Sequence, residues 1–131
     1  MFCEYSLETT VHQLAKEVIL EEKGIWLPNN SEKTNLFDLK IEKPLGKFIP
    51  DVQGVYLKNG IPTLLVIEVC VTSPSSFKKV DFYRKNSIDA IEIKIKQNFD
   101  MDIFDIGLLM DHIWGEMTNP KNQTWLSRST T

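Results

Sequence analysis

Apolar positions in this chain follow two periods, that of a helix and that of a strand. From Ser6 to Lys23, Leu7, Val11, Leu14, Ala15, Val18 and Ile19 recur every three to four residues. That spacing predicts a helix with one apolar stripe, capped by Ser6 and stopped at Gly24. Residues 29–34 are polar and read as a loop. Phe37, Leu39 and Ile41 then alternate with Asp38, Lys40 and Glu42, the period of a strand. Pro44-Leu45-Gly46 turns the chain. Residues 47–57 and 61–72 read as two further strands, and Asn59-Gly60 between them is a strong hairpin signal. Counting outward from that turn sets Asp51 opposite Glu68. Thr72-Ser73-Pro74-Ser75-Ser76 predicts a helix start, with Pro favoured in the first turn. The helix is expected to reach about Lys85, with Phe77, Val80 and Tyr83 or Arg84 on one side and Asn86-Ser87 as its stop. Ile91, Ile93 and Ile95 alternate with Glu92, Lys94 and Lys96 as another strand. Residues 102–115 read as a last helix, with Ile103, Ile106, Leu109 or Met110, and Ile113 on its stripe. The polar tail after Thr118 holds only Trp125 and Leu126 as large apolar residues.

The order helix, strand, strand, strand, helix, strand predicts an α/β fold, a central mixed sheet flanked by helices. Strand 61–72, its helix and strand 90–96 form a β-α-β unit, whose strands should be parallel. One domain is expected over 1–131, with a core at about 6–96 and a C-terminal helix and tail at 97–131.

Composition narrows the function classes. A formal charge of −3 excludes a polycation, so any nucleic-acid surface must be a local basic patch. Cys3 and Cys70 are too few for a disulfide framework or a Cys-rich zinc module. No run of apolar residues approaches a membrane span, and no signal peptide is evident. The expectation is a cytoplasmic protein with no membrane partner.

The candidate chemistry lies in the hairpin. Glu68 interrupts the most apolar stretch, Leu64 to Val71, and like charges set opposite each other destabilise a sheet. A divalent cation between Asp51 and Glu68 would remove the repulsion. Two carboxylates can hold Mg²⁺ or Mn²⁺ and leave positions for water and a phosphate oxygen. Glu8, His12 and Lys16 are spaced four apart and share a helix face. If that face borders the hairpin, Glu8 could assist the metal through water, His12 could move a proton and Lys16 could hold a phosphate. Lys78, Lys79, Arg84 and Lys85 could track a phosphate backbone.

These residues, in this order, resemble the PD-(D/E)XK nuclease superfamily. The stretch from Ile49 to Ile95 is similar to its competence-protein CoiA-like branch. The matching elements are Pro50-Asp51, Ile67-Glu68-Val69, Val71-Thr72, Lys78-Lys79 and Ile91-Glu92-Ile93, with Glu8, His12 and Ala15-Lys16 on the first helix. The resemblance implies a restriction-endonuclease-like αβββαβ core and a metal-dependent nuclease acting on DNA. Asp51 and Glu68 would be its metal ligands, with Lys79 and Glu8 completing the catalytic set. His12, Lys16, Lys78 and Arg84 would contact substrate. The superfamily's lysine two residues after the Glu is Cys70 here, so the role would pass to Lys78 or Lys79. Lys79 is favoured by family-like spacing.

Plainer readings accompany each residue. Asp51 and Glu68 could be a solvent-exposed strand-end pair bridged by a lysine. Glu8, His12 and Lys16 could be a solvated helix face, and so could the lysines of the second helix. Cys70 reads as a small core residue rather than a member of a Zn²⁺ site with Glu68, Asp51 and His12. Two other functions stay open: an inactive nuclease-fold protein that binds nucleic acid or protein, and a structural subunit. The latter would meet a second copy or another protein through the C-terminal helix and Trp125.

Overall fold

A computed structural model describes residues 4–30, 32–71, 74–96 and 106–129, and the side chains of 4–8 and 106 lie outside that description. Helix α1 spans Glu4–Glu22. Strands β1 (Gly24–Trp26) and β2 (Lys33–Asn35) pair as a separate small ribbon. Strands β3 (Phe37–Ile41), β4 (Val52–Lys58) and β5 (Ile61–Cys70) follow. After them come α2 (Phe77–Lys85), β6 (Asp89–Lys94), α3 (Ile106–Met117) and β7 (Gln123–Ser127). The five-stranded sheet has the order β3-β4-β5-β6-β7. Only β5 and β6 are parallel, as expected for strands joined through α2; the other neighbours are antiparallel.

The β4–β5 hairpin follows its turn. Asn59 and Gly60 have φ of 53° and 80°, the left-handed pair that a two-residue turn of matching twist requires. The register runs from Lys58↔Ile61 to Val52↔Ile67. Asp51 precedes β4 by one residue, so it approaches Glu68 from the strand's end.

Alternation along the strands divides the core. Leu65, Ile67, Val69, Ile91 and Ile93 face Val11, Ala15, Val18 and Ile19 of α1 and Leu109, Ile113 and Met117 of α3. On the other face, Val66 and Ala90 meet Tyr83 of α2. The face under α2 is therefore smaller, and it also carries Glu68. Among the described residues, no helix is long and apolar enough to cross a membrane.

Several boundaries differ from the sequence expectation. Helix α1 ends with Lys23 in the left-handed conformation (φ 50°), not with Gly24. Gly24 already belongs to β1, where a Cβ would lie 2.7 Å from the Thr34 carbonyl oxygen. Part of the expected loop 29–34 is β2. Strand β4 starts at Val52 rather than 47, because Leu45 and Phe48 first close a tight turn of their own. Helix α2 starts at Phe77, with Ser76 as its cap accepting the Lys79 N–H. The polar tail contains β7, an edge strand entered through a 3₁₀ turn at Pro120–Asn122. Thr72, Ser73 and Ile103, named in the expected helices, lie outside the described residues.

Candidate active site

Three elements converge on Asp51. The turn before β4 presents its carboxylate to the adjacent strand, where Oδ2 accepts the Val69 N–H at 2.7 Å. From α1, His12 Nε2 approaches the same oxygen at 3.3 Å. Burial works to raise the Asp51 pKa. The hydrogen bond with His12, the Val69 N–H and the charges of His12 and Lys79 outweigh it and hold the carboxyl below its usual value. Reciprocally, the hydrogen bond to Asp51 raises the His12 pKa above its ordinary value, against partial burial.

Glu68 lies deeper, with a side chain only 5% exposed. Tyr83 donates its hydroxyl to Oε2 at 2.5 Å, and Lys79 Nζ lies 3.2 Å from Oε1. Lys79 also donates to the Ile49 carbonyl at 3.1 Å. One ammonium thus spans from the segment leading into Asp51 to the strand bearing Glu68. Lys79 and Tyr83 are four apart on α2, so both reach the sheet from one helix face. Burial pushes the Glu68 pKa up, the nearby charge of Asp51 adds to this, and Tyr83 and Lys79 only partly offset it. The same contact and burial push the Tyr83 hydroxyl far above its usual value.

The site therefore brings together Asp51, Glu68, Lys79 and His12. The pair is not a solvent-exposed strand end, since Glu68 is buried under α2. Lys16 goes elsewhere: its Nζ meets Glu42 Oε1 at 2.7 Å, and the side chain is 3% exposed. A buried, paired ammonium is poorly placed to take a phosphate. Neither His12 nor Lys16 lies on a solvated face; each makes a tertiary contact. The backbone of Glu8 lies in α1, but its side chain is outside the described residues. Lys78 lines a groove with Lys47, Phe77 and Lys85 instead of reaching the carboxylates. Arg84 turns toward β7, where its Nε donates to the Leu126 carbonyl at 2.8 Å. Cys70 is buried in β5, as expected of a small core residue.

Asp51 and Glu68 are the residues that would hold a hard divalent cation. The partners of Asp51 favour its charged form, whereas burial and the nearby Asp51 charge disfavour that of Glu68. A cation would relieve that opposition. Among the described residues, no group of three or more His, Cys, Asp or Glu converges. The protein would thus supply two carboxylates, with water and substrate oxygens completing the shell, a common arrangement for Mg²⁺. The Zn²⁺ set of Cys70, Glu68, Asp51 and His12 does not form such a group.

Two neighbouring residues have no role of their own in the sequence reading. Tyr83 marks only a helix side there, although its spacing from Lys79 is a usable signal. Glu92 sits in register with Glu68 on β6, and its Oε2 accepts the Ser75 N–H at 2.7 Å just before α2. The in-register position follows from parallel pairing of two strands that each carry a Glu.

Comparison of the chain with protein-family models, curated proteins and solved structures finds no match.

Proposed function

We propose that this chain is a metal-dependent nuclease that hydrolyses DNA phosphodiester bonds, with α1, β3, β4, β5, α2 and β6 as a restriction-endonuclease-like αβββαβ core. The observation that carries this reading is Lys79. Its ammonium reaches Glu68 and the Ile49 carbonyl from the helix after the Glu-bearing strand. That is where a lysine displaced from the Cys70 position would have to act. Asp51 and Glu68 would hold Mg²⁺ or Mn²⁺, which supplies Lewis acidity and an activated water. Lys79 would hold positive charge beside the phosphate where negative charge grows. His12, on Asp51, would accept or return a proton at Nε2.

A second reading, a nuclease-fold binding module without catalysis, is favoured by one feature. Both carboxylates already have protein partners: His12 and the Val69 N–H on Asp51, Tyr83 and Lys79 on Glu68. A metal would have to compete with them.

Thermal unfolding with and without Mn²⁺ separates the readings. A cation that binds only the native state raises the melting temperature. The nuclease reading expects a rise of several degrees at saturating Mn²⁺, lost in Asp51→Asn/Glu68→Gln. It also expects Mn²⁺-dependent cleavage that Lys79→Met abolishes while the Mn²⁺ shift remains. Cleavage retained in Asp51→Ala overturns the assignment. A Mn²⁺-insensitive protein that still binds DNA supports the binding module.

A further inference from the structure

A second site lies away from the carboxylates, between the C-terminal end of α2 and β7. A cleft of about 640 Å³ is lined by Arg84, Ser87, Trp125, Leu126, Ser127, Arg128 and Ser129. It lies within the range of small-molecule sites, which run from about 300 to 1,000 Å³. Among the described residues, no acidic residue lines it, in a chain whose formal charge is −3. Among the described residues, neither Arg84 nor Arg128 pairs with a carboxylate. The two guanidinium groups are instead held by other means. Arg84 donates its Nε to the Leu126 carbonyl at 2.8 Å, which fixes its plane at the cleft and leaves its amino groups out of that bond. Arg128 lies over the Trp125 ring, 4.6 Å from its centre.

Asp89, which accepts the N–H of the lining residue Ser129, has further partners of its own. Its carboxylate accepts from Tyr56 at 2.6 Å, from Lys58 at 3.0 Å and from the Ser129 N–H at 2.6 Å. The last of these bonds ties Ser129, which lines the cleft, to β6.

We propose that this cleft binds a phosphate monoester of mononucleotide size, with Arg84 and Arg128 holding the phosphate. Guanidinium groups match phosphate oxygens with paired N–H donors, and a phosphate offers enough oxygens for two such groups plus serine hydroxyls. A carboxylate would be satisfied by one. The cleft is larger than a phosphate alone, which leaves room for the esterified group. The site is independent of the carboxylate pair and stands whether or not this chain cuts DNA.

Calorimetric titration of the full chain with inorganic phosphate and with adenosine 5′-monophosphate, at constant ionic strength, tests it. Saturable binding of both is expected, mutually competitive, with the nucleotide at least tenfold tighter. Arg128→Gln, at an exposed position, should weaken both ligands at least tenfold with an unchanged melting temperature. Arg84→Lys should weaken them despite keeping the charge, because it loses the planar fork. Lys85→Gln, on the same helix but outside the cleft, should bind normally. Asp51→Asn/Glu68→Gln should also bind normally, which separates this site from the carboxylates. Absence of saturable phosphate binding, or equal affinity in Arg128→Gln, overturns the site. A nucleotide no tighter than phosphate overturns its assigned size.

Discussion

Asp51, just before β4, and Glu68 on β5 feel each other's charge yet shift in opposite directions, and their partners explain why. Asp51 receives a backbone N–H and an imidazole, which outweigh its burial. Glu68 is more deeply buried, and Tyr83 and Lys79 do not fully compensate. Tyr83→Phe removes a 2.5 Å donor from a buried carboxylate. It should cost about 2 kcal/mol, in the range of hydrogen bonds to charged groups, measured by urea unfolding at neutral pH. No loss would mean that the hydroxyl does not stabilise the folded state through Glu68. Asp89 provides the pH-dependent counterpart away from the site. Burial tends to raise its pKa, but the Tyr56 hydroxyl, the Ser129 N–H and Lys58 bring it below the ordinary 3.8. A depressed folded pKa contributes stability that is present above the unfolded value and is lost as pH falls through the folded one. Asp89→Asn should therefore flatten the acid limb of the stability profile below about pH 4. It should also cost about 3 kcal/mol at pH 7 by leaving Lys58 without its charge partner. Denaturant midpoints from pH 2 to 7 would show both effects, and an unchanged acid limb would sink the assignment.

At the scale of elements, turn chemistry was the most legible feature. Asn59-Gly60 set the hairpin, and the hairpin set Asp51 toward Glu68. Gly60 has a φ of 80°, but a Cβ added there would meet nothing within 4 Å, so its role is conformational and not steric. Gly60→Ala should cost about 1 kcal/mol and leave the amide spectrum of β4 and β5 otherwise native. A shift of those resonances along the strands would mean that the turn sets register more strongly than the strand faces do. The parallel β5–α2–β6 unit and the apolar stripes of α1 and α3 were also legible, because each has a strong period. Strands β1 and β2 were not, since three residues are too few to show one. Strand β7 was hidden because its pairing shifts register between Ala90 and Ile91, so Trp125 and Leu126 stand side by side in sequence instead of alternating. In the site, Asp51, Glu68 and Lys79 could be brought together from register and spacing. Tyr83 on Glu68 and Lys16 on Glu42 could not, because both depend on how each helix is rotated against the sheet, which tertiary packing decides.

For the whole molecule, the net charge limits how it could hold DNA. A formal −3 repels a polyanion at long range, so attraction must come from cations close to the proposed site. Lys79 reaches the carboxylates, and Lys47, Lys78 and Lys85 line the groove beside Phe77, which is 81% exposed. Lys85 is partly engaged by Asp81 at 3.0 Å. About two or three phosphate contacts remain, so log affinity against log salt should have a slope of roughly −2 to −3. Ca²⁺ in place of Mn²⁺ would slow cleavage during the titration, and single- and double-stranded oligonucleotides should be compared. Lys78→Gln should make the slope shallower by about 1 and weaken all sequences alike, since a phosphate contact carries no base information. A wild-type slope steeper than about −6 would require a basic surface larger than this groove. An unchanged slope in Lys78→Gln would take Lys78 out of the DNA contact, and the groove would then lose its part in the argument for a polynucleotide substrate.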